Sequence, residues 1–226
     1  MLQKNYVTTS PAQQQAALAT ATNKVLRNTY TLLALTLLFS GFTAGLAVVT
    51  NAPPLGIFIT LGGYFGLLFL TTWLRNSPWG LVSVFALTGF MGYTLGPIIN
   101  AYLGLPNGPQ IVMTAMGGTG IIFLGLSGYA LVSRKDFSFM GGFLMVGILV
   151  AFLASLAAVF LQIPGLSLAV SAMFILLMSG LILYQTSEII HGGETNYIMA
   201  TITLYVTIYN LFLSLLHLLG IFSGED

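Results

Sequence analysis

Seven apolar runs, each near or above the roughly 20 residues that cross a bilayer as a helix, take up most of this 226-residue chain. They lie at about 28–50, 55–74, 79–103, 110–132, 138–161, 166–190 and 197–222, and Glu188 is the single carboxylate inside them. None of them contains a lysine or arginine. A water-soluble domain carries roughly 25% charged residues; here the figure is 5%, with 57% hydrophobic residues and a mean hydropathy of +0.95. Six basic and five acidic side chains cannot hold a folded surface of this size in water, and so much apolar sequence excludes disorder. Barrel strands would be about 10 residues long with alternating polarity, whereas these runs are longer and continuous. The chain reads as an all-α, polytopic membrane protein of seven transmembrane helices. A net charge of +1 leaves no electrostatic footprint for nucleic acid. With no cysteine, disulfides, thiolate metal sites and thiol catalysis are excluded.

The breaks between runs carry turn chemistry: Asn51-Ala-Pro-Pro54, Asn76-Ser-Pro78, Gly104 to Pro109, Ser133-Arg-Lys-Asp136, Ile163-Pro-Gly165 and His191 to Asn196. Residues 1–23, rich in Gln, Ala, Thr and Ser, read as a flexible hydrophilic tail, helical towards its end, without the apolar core of a cleaved signal peptide, and 24–226 as the membrane domain. Lys4, Lys24 and Arg27 precede the first span, Arg75 follows the second, and Arg134 and Lys135 follow the fourth. The alternate loops hold no Lys or Arg. The positive-inside rule therefore places the amino terminus in the cytoplasm and, after seven spans, the carboxyl terminus outside.

The seventh run is interrupted by Thr203, Thr207, Asn210, Ser214 and His217, at intervals of four, three, four and three residues. That rhythm puts all five on one helical stripe. An unsatisfied polar group in lipid costs several kcal/mol, so the stripe is expected to face protein or water, with helix seven central in the bundle. Ser171, Gln185 and Glu188 share a face of helix six. Both stripes serve either as hydrogen-bonding glue between helices or as a polar path for an ion. The pairs Gly41/Gly45, Gly62/Gly66 and Gly92/Gly96 predict close helix approach, and Pro97 predicts a bend in helix three.

Candidate chemistry is sparse. A retinal site needs a lysine inside a helix, and Lys4, Lys24 and Lys135 all lie outside the runs. Gly125-Leu-Ser127-Gly128 matches the G-x-S-G of intramembrane serine proteases, with His191 near the same face, but His191 sits in a Gly-rich loop and a Gly-Ser-Gly step is also a packing surface. Asp136, Glu188, His191 and Glu194 are too few for a strong calcium site; Asp136 fits a helix cap and Glu194 a solvated charge. Glu188 is the acid best placed to sense a proton near the membrane boundary. No phosphate loop or nucleotide fingerprint is present, so no catalytic residue, metal site or cofactor is expected and the chain does not read as an enzyme.

Ser133-Arg-Lys-Asp-Phe-Ser-Phe139, Gly96-Pro-Ile98, Ile189 to Tyr197 and Leu204-Tyr-Val-Thr-Ile-Tyr-Asn-Leu-Phe212 together resemble the Bax inhibitor-1 (transmembrane BAX inhibitor motif) family, from about Lys24 to Phe222. The likeness is greatest to its bacterial inner-membrane branch. That resemblance implies a bacterial inner-membrane protein, in contact with the lipid bilayer, that modulates the ATP-dependent membrane protease FtsH as a partner. It also implies an alternative, since other members are pH-sensitive calcium leaks. Those relatives use an aspartate on helix six after a Tyr, an aspartate on helix seven in an L-Y-x-D pattern, and an arginine ending helix two. On this chain the three positions fall on Gln185, Thr207 and Arg75. Both acids are absent, and a Gln–Thr pair neither gains nor loses a proton near neutral pH. The candidate latch or ion path is therefore Arg75, Gln185, Glu188, Thr207 and Asn210, with Glu188, one turn from Gln185, as the substitute acid.

Overall fold

A computed structural model describes residues 11–161 and 164–223. Among them are seven helices long and apolar enough to span a membrane: α1 (Pro11–Val49), α2 (Ile57–Leu74), α3 (Trp79–Leu103), α4 (Gly108–Ser133), α5 (Gly141–Leu161), α6 (Pro164–His191) and α7 (Tyr197–Ser223). A single 3-10 turn, Ser138–Met140, leads into α5. The chain is a multi-pass helical membrane protein. Its helix ends follow from local chemistry. Asn51 takes the left-handed conformation (φ 48°) that closes α1 before Pro53 and Pro54. Arg134 does the same after α4 (φ 50°), and its N–H donates to the Ala130 carbonyl. Gly192 (φ 79°) ends α6, where the Gly193 N–H returns to the Glu188 carbonyl at 2.8 Å.

At the amino-terminal end, residues 11–23, the later part of the expected tail, are helical and form the first turns of α1. The reason is local: Pro11 is well placed at a helix start, and the Ala- and Gln-rich run after it has high intrinsic helix propensity. Residues 1–10, the remainder of the expected tail, lie outside the described residues, as do the three at the carboxyl end.

The helices divide into an inner and an outer set. The spans of α3 and α7 are each 39% buried, against 6% for α2 and 11% for α5. α7 packs on α1, α3, α4 and α6; α2 rests on α3, and α5 on α6. Leu33, Leu87, Ile182, Leu204, Tyr205 and Leu211 form the heart of the main apolar cluster. A smaller cluster around Ile111, Ala115 and Leu216 closes the far end of α4 and α7.

The α1–α3 contact is built on small residues. A Cβ at Gly92 would run into Ser40 and Thr43, and one at Gly96 into Ala47. Of the three glycine pairs, only Gly92/Gly96 makes the predicted close approach. Gly41, Gly45, Gly62 and Gly66 are exposed, and a Cβ at any of them would meet nothing within 4 Å. Spacing marks a small surface but cannot say whether a neighbour covers it. α3 runs through Pro97 as one helix.

Candidate functional site

The connections at one end of the bundle are tied together by side chains. Asn196 caps α7, its Oδ1 accepting from the Ile198 N–H (3.0 Å) and the Met199 N–H (3.1 Å). Its amide nitrogen donates to the Arg75 carbonyl (3.1 Å) and to Asn76 Oδ1 (2.9 Å), which fastens the α2–α3 turn to the start of α7. On α6, Ser187 accepts from the Phe137 N–H at 2.9 Å and donates to the Lys135 carbonyl at 3.3 Å. Deeper in, Thr201 donates to the Thr29 carbonyl on α1. The turns carrying Arg75, Arg134 and Lys135 therefore gather at one end, where Glu188, His191 and Glu194 also lie. Asp136 accepts from the Ser138 N–H at 2.8 Å, and this bond to the ionised carboxylate holds its pKa below the usual range.

Below this clamped end runs the polar face between α6 and α7. The Thr207 hydroxyl donates to Gln185 Oε1 (3.2 Å) and, in a three-centre arrangement, to the Thr203 carbonyl (2.8 Å). Thr207 is buried, while Gln185 and Asn210 are half-buried. Asn210 donates to the Val206 carbonyl at 2.8 Å. The stripe of α7 is not zipped shut against its neighbours. Thr203, Thr207 and Asn210 line a cavity of about 670 Å³ together with Gln185. Asn210, Ser214 and His217 line a second, of about 340 Å³, together with Ser171. Asn210 and Phe174 border both, so the cavities adjoin along the helix pair.

Of the five candidate residues, the structure brings Gln185, Thr207 and Asn210 together and sets the other two apart. Arg75 is exposed at the end of α2, contributing its carbonyl to the Asn196 clamp. Glu188 holds its carboxylate against Gly193 in the α6–α7 turn, close enough that a Cβ at Gly193 would strike it. Among the described residues, no three of His, Asp and Glu converge as metal ligands.

Ser127 is not arranged as a nucleophile. Its hydroxyl bonds to the Tyr30 hydroxyl and lies 3.4 Å from Thr186 Oγ1. His191 is turned instead to Ser187, with Nδ1 2.9 Å from the Ser187 carbonyl and 3.2 Å from its hydroxyl. A base must reach its nucleophile, and this one is held elsewhere. The Tyr30–Ser127–Thr186 knot, which joins α1, α4 and α6, was hidden in the sequence because no local spacing links residues so far apart in the chain. A second such knot is Ser40–Tyr205, in which the buried phenol also donates to the Thr88 carbonyl.

Comparison with known proteins agrees with this architecture over nearly its full length. The family described as "Inhibitor of apoptosis-promoting Bax1" matches residues 22–224. An uncharacterised protein of Pseudomonas aeruginosa is 60% identical over 202 residues, which are 89% of this chain and 91% of that one. The Escherichia coli K12 protein named "Modulator of FtsH protease YccA" is 55% identical over 206 residues, 91% of this chain and 93% of its own. An uncharacterised membrane protein of Vibrio cholerae is 45% identical over 91% of this chain and 92% of its own. With seven apolar helices, the motif loops clamped at one end and a match that runs from residue 22 to 224, the chain belongs to the Bax inhibitor-1 family, the inhibitors of apoptosis-promoting Bax1.

Proposed function

We propose that this chain is a non-catalytic modulator of the FtsH protease, resident in the bacterial inner membrane and acting by binding it. The observation that carries the reading is the Gln185–Thr207 bond, at the positions where the family resemblance expects two aspartates. An acid pair can open and close on a proton; an amide and a hydroxyl cannot. What is left is a rigidly clamped bundle with no proton-operated gate at this point and a relative, 55% identical, named for its effect on FtsH. Ser127 and His191, each engaged with other partners, favour a non-catalytic role. The gathering of Arg75, Arg134 and Lys135 at one end favours that end as cytoplasmic, the side from which the segment before Lys24 would meet the protease.

The competing reading, a calcium or cation leak, draws on the two adjoining cavities and the polar stripe along them. Calcium flux through the purified protein in liposomes, followed between about pH 6 and pH 8, separates the two. The modulator reading expects no pH-dependent flux and co-purification of FtsH with the chain. Flux that rises with acidity and disappears in Glu188→Gln would establish the leak instead.

A further inference from the structure

We propose that the larger cavity is a binding site for an uncharged, lipid-soluble molecule bearing a carbonyl, which enters from the bilayer between α2 and α5 and is anchored on the Gln185 amide. The inference is independent of whether the chain binds FtsH.

Size sets the class of occupant. A volume of about 670 Å³ lies inside the 300–1,000 Å³ range of small-molecule sites. Charge narrows the class further: among the described lining residues there is no Asp, Glu, Lys, Arg or His. An ionised group in this cavity would lack a partner, and burying it would be expensive.

The polar floor then selects within the neutral class. Gln185 Oε1 accepts from Thr207, and among the described residues nothing bonds the two hydrogens on its amide nitrogen. Asn210 donates to Val206, which leaves its Oδ1 open as an acceptor. A hydrocarbon chain satisfies neither group, and an unmet amide in this setting costs free energy. A carbonyl oxygen satisfies the first, and a hydroxyl deeper along the same molecule would satisfy the second. Depth argues against the ester groups of a phospholipid resting in its own leaflet. At 1.5 Å per residue, Gln185 lies about 9 Å in from the His191 end of α6, and Asn210 about 20 Å in from the start of α7. α7 is about 40 Å long and the hydrocarbon region about 30 Å thick, so the depth of Asn210 falls near the middle of that region rather than at its edge.

The walls and the entrance fit the same ligand. Phe90, Phe152 and Phe174 offer flat faces for a ring or an extended chain. Phe65 on α2 and Leu149 on α5 both line the cavity while remaining 59% and 55% exposed, so the opening between these two outer helices faces the bilayer directly.

The test uses the full chain in nanodiscs of dioleoylphosphatidylcholine, titrated with a decyl-substituted benzoquinone, with dioleoylglycerol, and with hexadecane as the carbonyl-free control. Binding is read by native mass spectrometry and by the shift in Tm. Saturable binding of either carbonyl probe but not of hexadecane is expected, and the probe that binds identifies the source as a free ring ketone or a glycerolipid. Gln185→Leu should weaken that binding roughly tenfold, the loss of one hydrogen bond to a buried amide. Leu149→Trp, a change on an exposed position of α5 that fills the entrance, should weaken it as much without touching the floor. The proposal is overturned if neither carbonyl probe saturates, if hexadecane binds equally well, or if both variants bind as the parent does.

Discussion

At the scale of single residues, this protein is held by hydroxyl and amide groups that find partners on other helices. Tyr205, 1% exposed, is linked to Ser40 on α1 and Thr88 on α3 at once. Such bonds are modest in a membrane, averaging about 0.6 kcal/mol, but each fixes the register of two helices. Thr29 is the exception. Its hydroxyl is fully buried and, among the described residues, has no partner, although its carbonyl accepts from Thr201. Thr29→Val keeps the shape and that carbonyl while removing the orphaned group. It should raise stability by about 1 kcal/mol, read as an increase in the midpoint of thermal unfolding in detergent; a lowered midpoint would show that the hydroxyl is satisfied after all. The sequence placed Thr207 and Asn210 on a polar stripe of α7 and Gln185 on a polar face of α6, because helical spacing is a local property; that Gln185 and Thr207 pair was implied only by the family resemblance. It could not reveal that Arg75 and Glu188 lie apart from them, since that depends on where Asn196 and Gly193 fold the loops.

At the scale of elements, the helices end within a few residues of the apolar runs, because apolar length and turn chemistry are both written in the chain. α1 starts earlier, where an Ala- and Gln-rich run continues the helix beyond its apolar part. Which faces meet was less legible. Gly92 and Gly96 have the same spacing as Gly62 and Gly66, yet the first pair lies under Ser40, Thr43 and Ala47 while the second faces open space. Alanine at Gly92 or Gly96 must push α1 away from α3 and should cost about 1–3 kcal/mol. Alanine at Gly62 or Gly66 should be neutral or stabilise by up to about 1 kcal/mol through better helix propensity. Comparing the four Tm values decides the matter: a uniform effect across both pairs would mean that the α1–α3 contact is not the tight one.

At the scale of the whole molecule, α7 packs on α1, α3, α4 and α6, α3 packs on α1, α2, α4 and α7, and the more exposed helices α2 and α5 rest on α3 and α6. The connections at the basic end are fastened by Asn196 and Ser187, the residues that join the motif segments 133–139 and 189–197 to the rest of the bundle. That arrangement gives the loop motifs a structural part: they hold the helices in place. We propose that this bundle acts on FtsH by contact rather than by chemistry or ion flow. The most direct measurement is the rate at which FtsH, reconstituted in proteoliposomes, degrades a membrane substrate with and without an equimolar amount of this chain. The expected result is a changed rate that persists with calcium chelated, survives Ser127→Ala and is weakened by deleting residues 2–20. An unchanged rate, or one altered only when calcium can cross the bilayer, would contradict it.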